Sequence, residues 1–195
     1  MQTNNADATV PSVYKKVLKL MGNRFEISVV ADEEYRANEC IAQAVNEIRR
    51  IEKLLTTFDE SSQTNLINRN AGIAPVKVDK EVFDLIQRSQ KISQITQGSF
   101  DITYGSIDKK LWNFVIIDGK KYSHTIDPKT GLPVTGIKSV SIISPNAEIA
   151  DAMATPVMVM GIKAGLDMIN QIKGLACIII DDNGTIYTSK NIHIK

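Results

Sequence analysis

Tyr14–Ala31 reads YKKVLKLMGNRFEISVVA, two β-favouring runs separated at Gly22-Asn23. A glycine and an asparagine tolerate the backbone angles of a tight reversal, so the stretch predicts a hairpin. The chain therefore starts antiparallel. Asp32 then opens a long amphipathic helix, because Cys40, Ile41, Ala44, Val45, Ile48, Ile51, Leu54 and Leu55 recur at steps of three and four residues. One stripe of that helix should face a sheet.

From Phe58, FDESSQTNLINRNAGIAPVKV is rich in Ser, Asn and Gly and reads as a loop. Asp79 is suited to cap a second helix with Val82, Phe83, Leu85, Ile86, Ile92 and Ile95 on its apolar side, ending near Gly98. SFDITYG is too short for a helix. FVIIDGKKYSHTI contains Asp118-Gly119 between β-favouring runs and predicts a second hairpin. DPKTG turns the chain, and Ile137 to Ile143 reads as a strand. Asn146 to Gly161 is helical in pattern, with a kink expected at Pro156, whose missing N–H leaves the carbonyl of Ala152 without its usual partner. A helix from about Lys163 to Ile172, the strand LACIIID, a DNG turn and the strand TIYTSKNIHI complete the chain. The expected fold class is α+β, with helices packed against a mainly antiparallel sheet.

Length supports one domain. A chain of 195 residues can bury a core without disulfides or structural metal, and we expect residues 1–12 to be a flexible N-terminal tether and 13–195 a single domain. With 23 Lys+Arg against 22 Asp+Glu, the net charge of +1 provides no strong field for nucleic acid or an anionic membrane. Cys40 and Cys177 lack metal-ligand spacing and are expected to be buried thiols. No stretch approaches the apolar length of a transmembrane helix, and the N-terminus lacks a basic start followed by an apolar run. QTNNADATVPS, from Gln2, is nevertheless what a tether left by a removed export signal looks like, which leaves open a location in the periplasm or on the outer face of the cytoplasmic membrane.

Three groups of residues have chemistry to offer. In EIADAMATP, Glu148 to Pro156, a helix places Asp151 and Thr155 on one face, where a carboxylate and a hydroxyl could share a small hard cation. The same pair also reads as an acid near a helix N-terminus and a threonine bonded to its own backbone. In YSHTIDPKTGLP, strand alternation puts Tyr122, His124 and Ile126 on one face, so His124 could serve as a general base toward a hydroxyl. It also reads as an ordinary strand histidine, and His193 as structural. In QGSFDITYG, Phe100 could lie against a flat ring while Asp101 accepts a hydrogen bond from a heterocycle, or the two are simply a core residue and a turn former.

Taken in order, MGNRFEI, FDESSQTNLINRNAG, GSFDIT, LWNF, YSHTIDPKTGLPV and ADAMATPVMVMG resemble the FAD:protein FMN transferases, the ApbE-type family. The resemblance runs from about Tyr14 to the end of the chain, with HTIDPKTGLP and ADAMAT its most specific parts. It implies an ApbE-like, T-fold-like architecture and a magnesium-dependent reaction. In that reaction, a threonine on a target flavoprotein attacks the FMN-side phosphorus of FAD and AMP leaves. By matching position it makes His124 the base and Asp151 and Thr155 magnesium ligands, with Met21, Phe100, Asp101 and Ile126 contacting FAD. Phe58 stands where the family usually presents a tyrosine to the flavin.

Departures from the family pattern are substantial. Between LWNF and VIIDGKKYSH the family carries a long central section with an Asp-Leu-Gly and Lys-Gly segment and a Gly-Gly-Asp motif, none of which is present. Asn23 replaces the usual Thr or Ser after Met-Gly, and Pro156 follows Thr155 directly. The shortened centre leaves three readings: a transferase, with a homo-oligomer able to complete the site; a non-catalytic scaffold or binding protein that has lost FAD binding; or a magnesium-dependent FAD pyrophosphatase. The family's usual place is the outer face of the cytoplasmic membrane.

Overall fold

The computed structural model describes residues 10–103, 116–117, 120–121 and 125–192. It divides into two compact units, Met1–Val82 and Phe83–Lys195.

The first unit opens with the expected hairpin. β1 (Ser12–Leu20) pairs antiparallel with β2 (Asn23–Ala31) in an unbroken register from Ser12 opposite Ala31 to Leu20 opposite Asn23. The turn is Met21-Gly22, one residue earlier than the sequence suggests, with φ of +49° and +74°. Two left-handed residues in succession match the right-handed twist of the strands, which explains why the reversal closes in two residues. Leu18, Leu20, Phe25, Ile27 and Val29 share the face that packs on α1 (Glu34–Leu55), meeting buried Ile41 and Val45 and half-buried Ile48. Glu33, rather than Asp32, is the N-cap of α1 and makes no side-chain cap bond. Cys40 falls off the buried stripe and is exposed, contrary to expectation, because Ala37, Ile41 and Val45 alone define the inward line.

The segment read as a loop contains a helix, α2 (Gln63–Asn70). Apolar periodicity misses it because QTNLINRN carries only Leu66 and Ile67. Polar bonds at its ends account for it instead: Ser62 Oγ accepts from Asn65 N at 3.1 Å, and Asn65 Nδ2 donates to the carbonyls of Thr57 and Asp59 at 3.0 and 2.8 Å. Asp79 immediately precedes α3 (Lys80–Ile95), as expected. Val82 and Ile92 are buried, whereas Phe83 and Ile95 remain exposed.

In the second unit, β3 (Ile116–Ile117) pairs antiparallel with β4 (Lys120–Lys121), in keeping with the hairpin read around Asp118-Gly119. A three-stranded sheet has the order β5 (Ile137–Ile143), β6 (Ala176–Asp181), β7 (Ile186–Thr188), all antiparallel. Alternation along β6 buries Cys177 and Ile179. They pack with Ala152, Met153, Val157, Met168 and Ile169 of α4 (Ala147–Gln171), which covers the sheet. Each unit packs helix against antiparallel strands, the fold class expected.

α4 departs from expectation at one point. Its backbone holds helical angles through buried Pro156 and leaves them at Gly161, where φ is +82° and ψ 173°. Proline forfeits one hydrogen bond but its φ suits a helix; the Gly161 angles are open essentially to glycine alone. The chain folds back there, because a Cβ on Gly165 would stand 2.9 Å from Val157 Cγ1 and 3.1 Å from its carbonyl oxygen. In a straight helix those residues would be about 12 Å apart. Thus α4 is long and apolar enough to span a membrane by length and composition, which corrects the expectation above. Its break and its buried core residues give it the role of a core element instead.

Candidate functional site

Three sequence segments of the second unit meet beside α4. The first is the end of α3. Thr96 Oγ1 donates to the Ile92 carbonyl at 2.8 Å and accepts from Phe100 N at 3.2 Å, while Gly98 N donates to the Ser93 carbonyl at 2.8 Å. Gln97 and Gly98 both adopt left-handed angles, φ +52° and +79°. For glutamine that conformation is uncommon, and it turns the chain sharply enough to bring Ser99 and Phe100 under the core. Phe100 is half-buried and packs against the α4 and sheet cluster. Asp101 is exposed, its Oδ1 accepting from Thr103 N and Thr103 Oγ1 at 2.8 and 2.7 Å.

The second segment is the turn in IDPKTGLP. Ile126 is buried and forms an antiparallel bridge with Pro133. Asp127 organises the loop between them: its N–H donates to the Leu132 carbonyl at 3.0 Å and its carbonyl accepts from Gly131 N at 2.8 Å. Its carboxylate accepts from Lys129 N at 2.9 Å and Thr130 Oγ1 at 3.2 Å. A single aspartate thus fixes both the backbone and the mouth of the turn, which is why the Asp-Pro step begins it.

The third segment is the first half of α4. Asn146 Oδ1 caps it, accepting from Ile149 N at 3.0 Å. Ala152, Met153, Pro156 and Val157 are buried, which turns Asp151 and Thr155 outward on one face, as the four-residue spacing predicts. Neither side chain takes a hydrogen bond from the protein among the described residues. A free carboxylate and a free hydroxyl one helical turn apart are hard oxygen donors, and they fit a small divalent cation. The pair could fill two positions around such an ion, which takes six oxygens.

An open pocket of about 200 Å³ joins these segments, lined by Thr96, Gln97 and Ser99 from the α3 end, Asp127 and Lys129 from the turn, and Val159 and Met160 from α4. Val159 lies four residues beyond Thr155, so Asp151, Thr155 and Val159 follow one stripe toward the pocket. Gln97 and Lys129 escaped the sequence reading. The only signals were backbone ones, a left-handed residue and a turn that presents Lys129, and neither is visible as a residue pattern.

Of the other sequence-predicted site residues, Met21 and Phe58 belong to the first unit. Met21 occupies the strained tip of the β1–β2 hairpin, and Phe58 is 94% exposed on the segment after α1. His124 and His193 lie outside the described residues. Thr125, which follows His124 in the chain, is buried and its Oγ1 donates to Met158 Sδ at 3.4 Å, three residues beyond Thr155 on α4.

Comparison with known proteins bears on the same segments. A model of the ApbE family matches residues 21–116 and 112–179. FAD:protein FMN transferase of Treponema pallidum is 36% identical over 133 residues, covering 68% of this chain and 34% of that protein. Its counterpart in Escherichia coli strain K12 is 40% identical over 73 residues, 37% of this chain and 20% of that protein. The matched regions therefore span about a fifth to a third of these relatives' length. Among solved structures, the ApbE protein of Thermotoga maritima superposes with a TM-score of 0.79 at 18% identity, covering 92% of this chain and 97% of that one. The flavin transferase ApbE of Vibrio cholerae gives 0.77 at 14% identity, covering 93% and 98%.

Proposed function

The chain belongs to the ApbE family, and from that premise we propose that it transfers FMN from FAD to a threonine of a target flavoprotein in a magnesium-dependent reaction, releasing AMP. The observation that carries the proposal is the convergence of the α3-end turn and the IDPKTG turn on Val159 and Met160 of α4, the helix whose exposed face carries Asp151 and Thr155. Relatives named FAD:protein FMN transferase support flavin transfer as the general activity.

In this reading Asp151 and Thr155 hold magnesium, which when bound offsets charge on the pyrophosphate oxygens. The hydroxyl oxygen of the target threonine attacks the FMN-side phosphorus. A new O–P bond forms as the pyrophosphate bond breaks, and AMP departs with the bridging oxygen. His124 takes the hydroxyl proton, a role suited to an imidazole whose ordinary pKa lies near neutrality. Met21, Phe58, Phe100, Asp101 and Ile126 are assigned to FAD. Phe58, almost wholly exposed, is free to stack on a flat ring but offers no hydroxyl. Phe100 and Ile126 contribute mainly by shaping the floor, since both already pack against protein.

Incubating the chain with FAD, magnesium and a cognate target should yield a fluorescent flavin band on a denaturing gel, and Asp151→Ala should remove it. A target labelled by a full-length relative but not by this chain would overturn the proposal. A second reading, a scaffold without catalysis, is motivated by the shortened centre, where LWNF runs directly into VIIDGKKYSH. It requires that FAD fail to bind at concentrations well above the micromolar range. FAD hydrolysis with water as acceptor is separated from both by AMP release in the absence of any target.

A further inference from the structure

Arg88 of α3 reaches the first turn of α4 and grips Glu148 with both arms of its fork, Nε donating to Oε1 at 2.6 Å and Nη2 to Oε2 at 2.9 Å. Both partners lie in the second unit, and both side chains are partly exposed. Glu148 stands three residues before Asp151 and seven before Thr155. At 100° per residue all three therefore occupy one stripe of the helix, with Glu148 and Thr155 nearly eclipsed and Asp151 between them. A free glutamate at this position would present a second carboxylate one turn from Asp151. The buried face of Ala152, Met153 and Val157 prevents the helix from rotating the stripe away, so only a partner for Glu148 can withdraw it.

We propose that Arg88 is a positioning residue which holds Glu148 out of cation binding, leaving Asp151 and Thr155 as the donor pair on this face. The inference rests on the assignment of Asp151 and Thr155 to a divalent cation made above. The geometry suits the task better than a lysine would: a planar bidentate fork occupies both carboxylate oxygens at once, whereas an ammonium group leaves one oxygen available. Burial of the α4 face sets the direction in which the stripe points, and Arg88 sets its charge. The guanidinium pKa is raised, chiefly by its hydrogen bond to Glu148, so Arg88 keeps its charge in the pair.

The test uses the 195-residue chain and manganese alone as the probe, with bound and free metal counted by electron paramagnetic resonance. Arg88→Met keeps the apolar stem and releases Glu148. It should tighten manganese binding roughly two- to fivefold, the range for an exposed charge contact, and Arg88→Met/Glu148→Gln should return to the wild-type value. If the Arg88 ion pair only braces α3 against α4, Arg88→Met weakens binding or leaves it unchanged, and the inference is overturned. Should Arg88→Met fail to fold, Glu148→Gln serves instead. It frees the guanidinium beside Asp151 and should weaken binding, while unchanged or tighter binding counts against the inference. Absence of manganese binding in the wild type removes the Asp151–Thr155 assignment, yet binding that appears in Arg88→Met and vanishes with Glu148→Gln still supports the role of Arg88.

Discussion

Asp151 and Asp181 bear the same carboxyl group in opposite circumstances. Asp181 is 8% exposed at the end of β6, where its Oδ1 accepts from Asn183 N at 2.9 Å and Thr185 N at 2.8 Å, and Tyr187 Oη donates to its Oδ2 at 3.3 Å. Burial pushes its pKa up, but the donors together outweigh burial and hold it below the ordinary carboxylate value. Its contribution to stability is therefore complete above the unfolded value of about 3.9 and is lost as pH falls through the lower folded value. Asp181→Asn should flatten the acid limb of a plot of unfolding free energy against pH; an acid limb superposable on the wild type would refute the assignment. The two cysteines give a second contrast. Burial raises the Cys177 thiol pKa, with the Ser189 bond opposing it, whereas Cys40 is exposed. A thiol reagent should modify Cys40 in the native protein and Cys177 only in denaturant; rapid native labelling of both would contradict the burial of Cys177. At this scale, the sequence showed which residues had chemistry to offer but not their surroundings. That Asp151 and Thr155 share one face followed from spacing alone, while the exposure of Cys40 depended on which of two adjacent apolar lines the hairpin selects.

Among the elements, α4 shows what can be read from residue pattern and what cannot. Its two halves were legible from apolar periodicity, as were the β1–β2 hairpin, α1 and the limits of β5, because each repeats at 3.6 or 2 residues. The break between them was legible too, since one helix was read as ending at Gly161 and the next as starting near Lys163; the kink expected at Pro156 is absent, because the φ of proline suits a helix. α2 escaped for the converse reason, being held by polar caps rather than an apolar stripe. Two glycines separate these causes experimentally. Gly161 has open space around its Cβ position but a backbone conformation that alanine adopts only with strain, so Gly161→Ala should cost about 1–3 kcal/mol. Gly165 has ordinary helical angles but meets Val157 too closely, so Gly165→Ala should cost a similar amount, about 1–3 kcal/mol, through overpacking. Trimming the neighbour tells the two apart. Val157→Ala should recover part of the Gly165→Ala loss in a double-mutant cycle of denaturant midpoints, although the Val157 backbone carbonyl remains, and should recover none of the Gly161→Ala loss. Equal coupling in both cycles would mean that the halves do not touch as described.

At the scale of the whole molecule, the fold class was legible because every long element carries its own period, whereas the candidate site draws on segments far apart in the chain. Phe100, Ile126 and Asp151 come from three separate stretches of the second unit, and only the resemblance of HTIDPKTGLP and ADAMAT to one family suggested that they act together. Ligand linkage tests that assembly without assuming turnover. A ligand that binds only the folded chain stabilises it by about 2.7 kcal/mol at a hundredfold excess over its dissociation constant, which for a chain of this size raises the melting temperature by roughly 5–11 °C. Under the transferase reading, FAD should raise it by that amount with magnesium present and by clearly less with a chelator, because the pyrophosphate and the Asp151–Thr155 pair then face each other without the intervening cation. Asp151→Asn should remove the magnesium-dependent part while leaving the ligand-free melting temperature nearly unchanged, since its side chain is exposed and makes no hydrogen bond among the described residues. A shift indifferent to magnesium would detach FAD from α4, and no shift at any attainable FAD concentration would leave the scaffold reading in possession of the fold.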